Sequence, residues 1–163
     1  MMLSLQAPDK QGSGKTSQMV KVVLADDHKV VRHGIRMVLE AESDFRVVGE
    51  ASDSIQATNL VESLAPDVLV TDLSMDGMSG FEVITRVRQR SPKTLIVVLS
   101  MHDNAAYVLK ALQCGAKGYV LKDAGPDELT CAVRAVLTGA TYLSPPLSAE
   151  RIEAYRQSLY AGD

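Results

Sequence analysis

From Val20 onward the chain alternates between short runs of Val, Ile and Leu and longer segments whose apolar residues recur every three or four positions. No other feature constrains the fold as strongly. The short runs fall at 20–25, 46–51, 68–71, 95–99 and 119–121, and three of them are apolar throughout. That is the pattern of parallel strands covered on both faces. Apolar stripes at helical spacing lie between and after them. Val31, Ile35, Val38 and Leu39 mark the first helix, and Ala57, Leu60, Val61 and Leu64 the second. Phe81, Ile84 and Val87 mark the third, with Ser79 and Glu82 as a capping box. Ala105, Val108, Leu109 and Leu112 mark the fourth, and Leu129, Ala132, Val133 and Val136 the fifth, with Pro126 in its first turn.

Five β-α units in strict order predict a parallel sheet with right-handed crossovers and helices on both faces. The expected fold is α/β, a flavodoxin-like, doubly wound, five-stranded sheet of order 2-1-3-4-5 with five flanking helices. A single domain over 19–141 accounts for most of the 163 residues. Residues 1–18 are polar and aperiodic and are read as a disordered extension. Within them, Gly14-Lys15-Thr16 does not make a phosphate-binding loop, because Asp9 stands where the earlier glycine is needed and no strand precedes it.

The formal net charge of −3 argues against direct DNA binding by this segment. No apolar run approaches the ~18 residues of a membrane span, so no membrane association is expected. Cys114 and Cys131 are too far apart for a metal or redox pair and are read as buried free thiols, consistent with a cytoplasmic location.

Ligands of doubly wound sheets bind beyond the carboxyl ends of the strands, where the strand order reverses, here between strands one and three. Asp26 and Asp27 follow strand one, Asp72 strand three, Ser100 strand four and Lys122 strand five. Residues spread over almost the whole domain thus converge on one sheet edge. At ~4 Å and an effective dielectric of ~20, each pair of carboxylates repels by about 4 kcal/mol, which Lys122 offsets only in part. A divalent cation resolves the conflict. An oxygen-only set, without Cys or His, favours Mg²⁺, with Mn²⁺ as an alternative, and Mg²⁺ commonly shares its shell with phosphate. Asp72, on the central strand, is the candidate nucleophile toward phosphorus. Mg²⁺ and Lys122 would neutralise the transferred group and Ser100 would donate to it. Taken singly, Asp27 also reads as a helix cap, Ser100 as a turn residue and Lys122 as a solvated charge.

Four segments carry a family resemblance: Leu24-Ala25-Asp26-Asp27-His28, Thr71-Asp72-Leu73-Ser74-Met75, Leu99-Ser100-Met101, and the run from Gly115 to Lys122. Together they resemble response-regulator receiver domains. Val47-Val48-Gly49-Glu50-Ala51 and Gly115-Ala116-Lys117-Gly118-Tyr119 resemble the NarL/FixJ subfamily, whose members usually continue into a LuxR-type DNA-binding domain. The resemblance implies that Asp72 accepts a phosphoryl group from a sensor histidine kinase. It implies that Asp27, Asp72 and the Ser74 backbone carbonyl ligate Mg²⁺, with Asp26 acting through water. Lys122 would contact the phosphoryl group, and Ser100 with Tyr119 would form a switch pair, although Tyr119 also reads as core packing. Phosphorylation would then promote a homodimer.

Two positions depart from the family's common pattern: Asp76 replaces the usual Pro after Met75, and Asp123 follows Lys122, as is ordinary for the subfamily. His102 is read as a solvent-exposed loop residue. Residues 142–163 are read as a linker, with Ser148 capping a helix that carries Ile152, Tyr155 and Leu159. That stretch is too short for an output domain, so the chain reads as the receiver segment of a transcription regulator or, alternatively, as a stand-alone or phosphorylation-independent scaffold. A phosphatase using an aspartyl-phosphate would want a second Asp where Ser74 stands, and a flavin phosphate would be repelled by Asp26 and Asp27. The chain is therefore expected to be a phosphoacceptor switch and not an enzyme.

Overall fold

A computed structural model describes residues 18–161. The Gly14-Lys15-Thr16 triplet and nearly all of the expected extension lie outside the described residues. The strands are β1 (Val20–Ala25), β2 (Phe45–Ala51), β3 (Val68–Thr71), β4 (Leu95–Ser100), β5 (Gly118–Leu121) and β6 (Tyr142–Leu143). The helices are α1 (Lys29–Glu40), α2 (Ser54–Leu64), α3 (Gly80–Arg90), α4 (Ala105–Cys114), α5 (Pro126–Leu137) and α6 (Ala149–Ala161). All strand pairs are parallel, in the order β2-β1-β3-β4-β5-β6. The doubly wound prediction holds, and one strand and one helix are added to the expected five of each. β6 has only two residues, and its strand character comes from pairing with Gly118 and Tyr119, not from its own pattern.

Alternate residues of the central strands feed two apolar cores. Val23, Leu69, Ile96, Val98 and Tyr119 face α2, α3 and α4, while Val22, Leu24, Val68, Val97 and Val120 face α1 and α5. Double-sided burial is why these strands read as continuous apolar runs. Helix starts are set by side chains that accept an otherwise unpaired backbone N–H. Asp53 accepts from Gln56, Ser79 from Glu82 and Asn104 from Tyr107.

The C-terminal segment packs on the same body. Leu147 and Ile152 are buried in the first core, Tyr155 packs against it, and Leu159 is exposed. Ser148 Oγ accepts from the Arg151 N–H at 3.0 Å, and α6 lies against α4. The thiols are a correction: Cys131 is exposed and Cys114 half-buried. Cys131 precedes Ala132 and Val133 on α5, and those two residues, not the thiol, occupy the inward stripe. No described helix is long and apolar enough to cross a membrane.

Candidate functional site

Register assembles the site before any side chain is considered. Ala25 pairs with Thr71, and Ser100 with Leu121, so the residues that follow those strand ends emerge on one edge. The Asp72 N–H donates to the Ala25 carbonyl and the Lys122 N–H to the Ser100 carbonyl, both at 2.9 Å, extending the ladder one step into the crevice.

Asp26 and Asp72 are 2% and 5% exposed, which is rare for carboxylates. The Lys122 ammonium lies 2.9 Å from Asp26 Oδ2 and 2.9 Å from Asp72 Oδ2, bridging them. Burial by itself would lower the Lys122 pKa, but the hydrogen bonds to Asp72 and Asp26 outweigh it and hold the pKa above its ordinary value. The other Asp72 oxygen, Oδ1, accepts from the Ser74 N–H at 3.1 Å. Although Lys122 is near, the buried Asp26 Oδ2 has no partner in good hydrogen-bonding geometry. Asp27 stands at the exposed mouth. Two buried carboxylates and a third at the mouth, against one ammonium, leave an excess of negative charge, the condition that a divalent cation relieves.

One donor atom each from Asp26, Asp27, His28 and Asp72 lies within 4.8 Å of all the others, close enough to share an ion. The predicted carboxylates therefore do converge, and their donor chemistry fits a dication. The cluster is not oxygen-only, however. His28 Nδ1 approaches Asp27 Oδ1 to 2.9 Å and Asp26 Oδ1 to 3.3 Å. The sequence signal for His28 was its place directly after Asp26-Asp27, which also suits an ordinary loop residue. What brings its ring inward is the backbone turn in which the His28 N–H donates to Asp26 Oδ1 at 2.8 Å.

Ser100 is fully buried, and its Oγ accepts from the His102 N–H at 3.0 Å. Tyr119 is also fully buried, with its ring in the core and its hydroxyl donating to the His102 carbonyl at 2.7 Å. Burial keeps the Tyr119 phenol above its usual pKa. Ser100 and Tyr119 thus meet at the backbone of one residue. His102 is half-buried and stacks on Tyr107 with ring centroids 4.2 Å apart, which corrects its reading as a free surface residue. Stacking and two backbone hydrogen bonds hold it in place.

The loop after β3 is secured by Ser54, a residue without a recognisable motif. The Ser54 N–H donates to the Asp76 carbonyl at 3.0 Å and its hydroxyl to the Met78 carbonyl at 2.6 Å. Gly77, at φ +99°, lets the chain pass over Ser54. At the loop's end a Cβ on Gly80 would lie 2.5 Å from Leu73 Cα, so only glycine fits there. On the other wall, Arg32 donates to the Asp26 carbonyl at 2.7 Å and to Glu50 at 3.1 Å. Glu50 also accepts from Arg36 at 2.7 Å. Burial would raise the Glu50 pKa, but Arg36 and Arg32 outweigh it, and the carboxyl is held below its ordinary value.

Fold and site together define a doubly wound α/β domain with a buried acidic crevice and a bridging lysine at its topological switch point. The chain belongs to the response regulator receiver domain family, whose model matches residues 22–134. It is 40% identical over 137 residues to the oxygen regulatory protein NreC of Staphylococcus carnosus, covering 83% of this chain and 63% of that one. It therefore spans less than two thirds of that relative's length. Among solved structures, a LuxR-family two-component response regulator from Aurantimonas sp. SI85-9A1 superposes with a TM-score of 0.79 at 37% identity, covering 85% of this chain and 99% of that one. The isolated REC domain of RcsB from Salmonella enterica serovar Typhimurium, in the presence of the phosphomimetic BeF3-, superposes with a TM-score of 0.75 at 34% identity, covering 83% and 99%.

Proposed function

We propose that this chain is the phosphoacceptor switch of a LuxR-type transcription regulator, taking a phosphoryl group onto Asp72 from the phosphohistidine of a sensor histidine kinase. The observation that carries this reading is the Asp72 carboxylate itself. It is 5% exposed, bridged to Asp26 by the Lys122 ammonium, and set at the carboxyl edge of the sheet. In the transfer, an Asp72 carboxylate oxygen forms a bond to phosphorus as the phosphorus–nitrogen bond of the donor breaks, and the departing imidazole takes up a proton. Lys122, held protonated by its two carboxylates, offers a fixed positive charge to the phosphoryl oxygens. Asp27, Asp72 and the Ser74 backbone carbonyl would hold Mg²⁺, or Mn²⁺ in its place, with Asp26 acting through water, and the ion would neutralise charge on the phosphoryl oxygens when bound.

The response follows from the shared backbone of His102. The Ser100 hydroxyl accepts from the His102 N–H, which leaves its own proton available to a phosphoryl oxygen. Drawing Ser100 toward the phosphate pulls on the segment whose carbonyl anchors Tyr119. Phosphorylation then biases a two-state arrangement of α4, β5 and α5 and promotes a homodimer, through which an output domain of the LuxR type controls transcription in the cytoplasm. The RcsB domain in the presence of BeF3- lends support from a related chain.

Incubation with Mg²⁺ and acetyl phosphate, read by intact mass, tests the reading. One phosphoryl adduct is expected on the wild type, absent with EDTA and absent in Asp72→Asn. A wild type that stays unmodified would overturn this reading in favour of the phosphorylation-independent scaffold. Size measurement with and without beryllofluoride then tests the dimer, and an unchanged size removes it as the output of this segment.

A further inference from the structure

We propose that His28 is a further protein ligand of the dication at Asp26, Asp27 and Asp72, binding through Nδ1, and that it tunes the site toward transition-metal dications over Mg²⁺. This rests on the reading that the crevice binds a dication. Ligands about 2.1 Å from an ion and at right angles to one another lie roughly 3 Å apart. His28 Nδ1 stands 2.9 Å from Asp27 Oδ1 and 3.3 Å from Asp26 Oδ1, so the imidazole already sits at the spacing of adjacent ligands.

Among the described residues, only the two carboxylates hold the ring where it is. His28 precedes α1 with an extended backbone, and its side chain makes no capping bond to the helix. The ring is 69% exposed and is aimed back over the carboxylates by the turn that joins the His28 N–H to Asp26 Oδ1. Below it, Asp26 is 2% exposed, and its Oδ2 has only the Lys122 ammonium, 2.9 Å away and not well directed, beside it. Because that one ammonium is shared with Asp72, the buried pair keeps an excess of negative charge that a dication beside it offsets.

The chemical consequence is selectivity. Mg²⁺ strongly prefers oxygen and gains little from an imidazole, whereas Co²⁺, Ni²⁺ and Zn²⁺ gain much, and affinity rises along the Irving–Williams order. A neutral nitrogen donor in place of water would widen the gap between these ions and Mg²⁺. The competing role for His28 is a salt bridge to the same carboxylates. In that role it would compete with every dication alike, and its removal would tighten binding.

The metal-free chain titrated calorimetrically with Mg²⁺, Co²⁺ and Ni²⁺ separates the two roles. His28→Ala is expected to weaken Co²⁺ and Ni²⁺ binding by about 10- to 100-fold and Mg²⁺ by less than about threefold. Pulsed electron paramagnetic resonance of the Mn²⁺-loaded wild type is expected to show coupling to an imidazole nitrogen that His28→Ala abolishes. Because the ring is exposed, the variant should fold as the wild type does. Equal losses for Mg²⁺ and Co²⁺, tighter binding in the variant, or no nitrogen coupling each overturn the role of His28 while leaving the dication site standing. The dication reading fails separately if no ion binds in a way that Asp27→Asn and Asp72→Asn weaken, and the proposal fails with it.

Discussion

The two edges of the sheet are built on opposite plans. At the amino edge, polar groups are paired and neutral or held by backbone. Thr94, 5% exposed, donates to the Pro66 carbonyl at 2.7 Å and lies 2.8 Å from the Ser91 hydroxyl. Asp67 accepts there from the Lys21 N–H at 2.8 Å. At the carboxyl edge, Asp26 and Asp72 are buried, share a single ammonium and leave an oxygen without a well-directed donor. One edge pairs its polar groups. The other brings carboxylates together in a buried crevice, which is the usual signature of a site that receives a ligand.

The largest way to sharpen that contrast is to supply the missing charge. At a Mg²⁺ concentration about a hundredfold above Kd, the chain should gain about 2.7 kcal/mol, read as a raised Tm in thermal melts. Asp72→Asn should lose most of that gain, and Thr94→Val should keep it. Thr94→Val should itself cost about 1–2 kcal/mol in urea unfolding, because it strips the Pro66 carbonyl and the Ser91 hydroxyl of their partner, while phosphorylation stays intact. A Thr94→Val chain that failed to take up phosphate would show the two edges to be coupled, contrary to their construction.

This contrast was only half visible in the sequence. Asp72 is legible because it closes the apolar run Val68-Leu69-Val70-Thr71 on the central strand, at the edge where the other strand ends meet. The hidden parts depend on tertiary contact. Tyr142-Leu143 is too short for a period and becomes a strand only beside β5. Ser54 looks like any first residue of a helix until the loop after β3 comes to lie against it. His102 and His28 follow strands as loop residues, and their burial or aim is set by Tyr107, Tyr119 and Asp26. Cys131 misled for the opposite reason, since an apolar neighbourhood in sequence includes the outward side of a helix.

A smaller effect tests whether the carboxyl edge is truly under repulsion. Asp26→Asn keeps the shape of the side chain and removes one of the converging charges. In the absence of dications it is expected to stabilise the fold by about 1 kcal/mol in urea unfolding, while weakening Mg²⁺ binding. A loss of stability instead would mean that the Lys122 bridge contributes more than the repulsion costs.

The smallest expected effect is a flat line, and it separates the two influences on Lys122. Burial alone would lower its pKa; Asp72 and Asp26 instead hold it above the ordinary 10.5. A group whose pKa is raised by folding stabilises the fold fully below its unfolded value, and that contribution fades as pH climbs through the folded value. The stability difference between wild type and Lys122→Met, measured by urea unfolding without dications, should therefore stay constant from about pH 7 to 9 and shrink only above 10.5. Shrinkage already at about pH 8 would mean that desolvation prevails in the crevice, and the lysine would then arrive at the phosphoryl group partly uncharged.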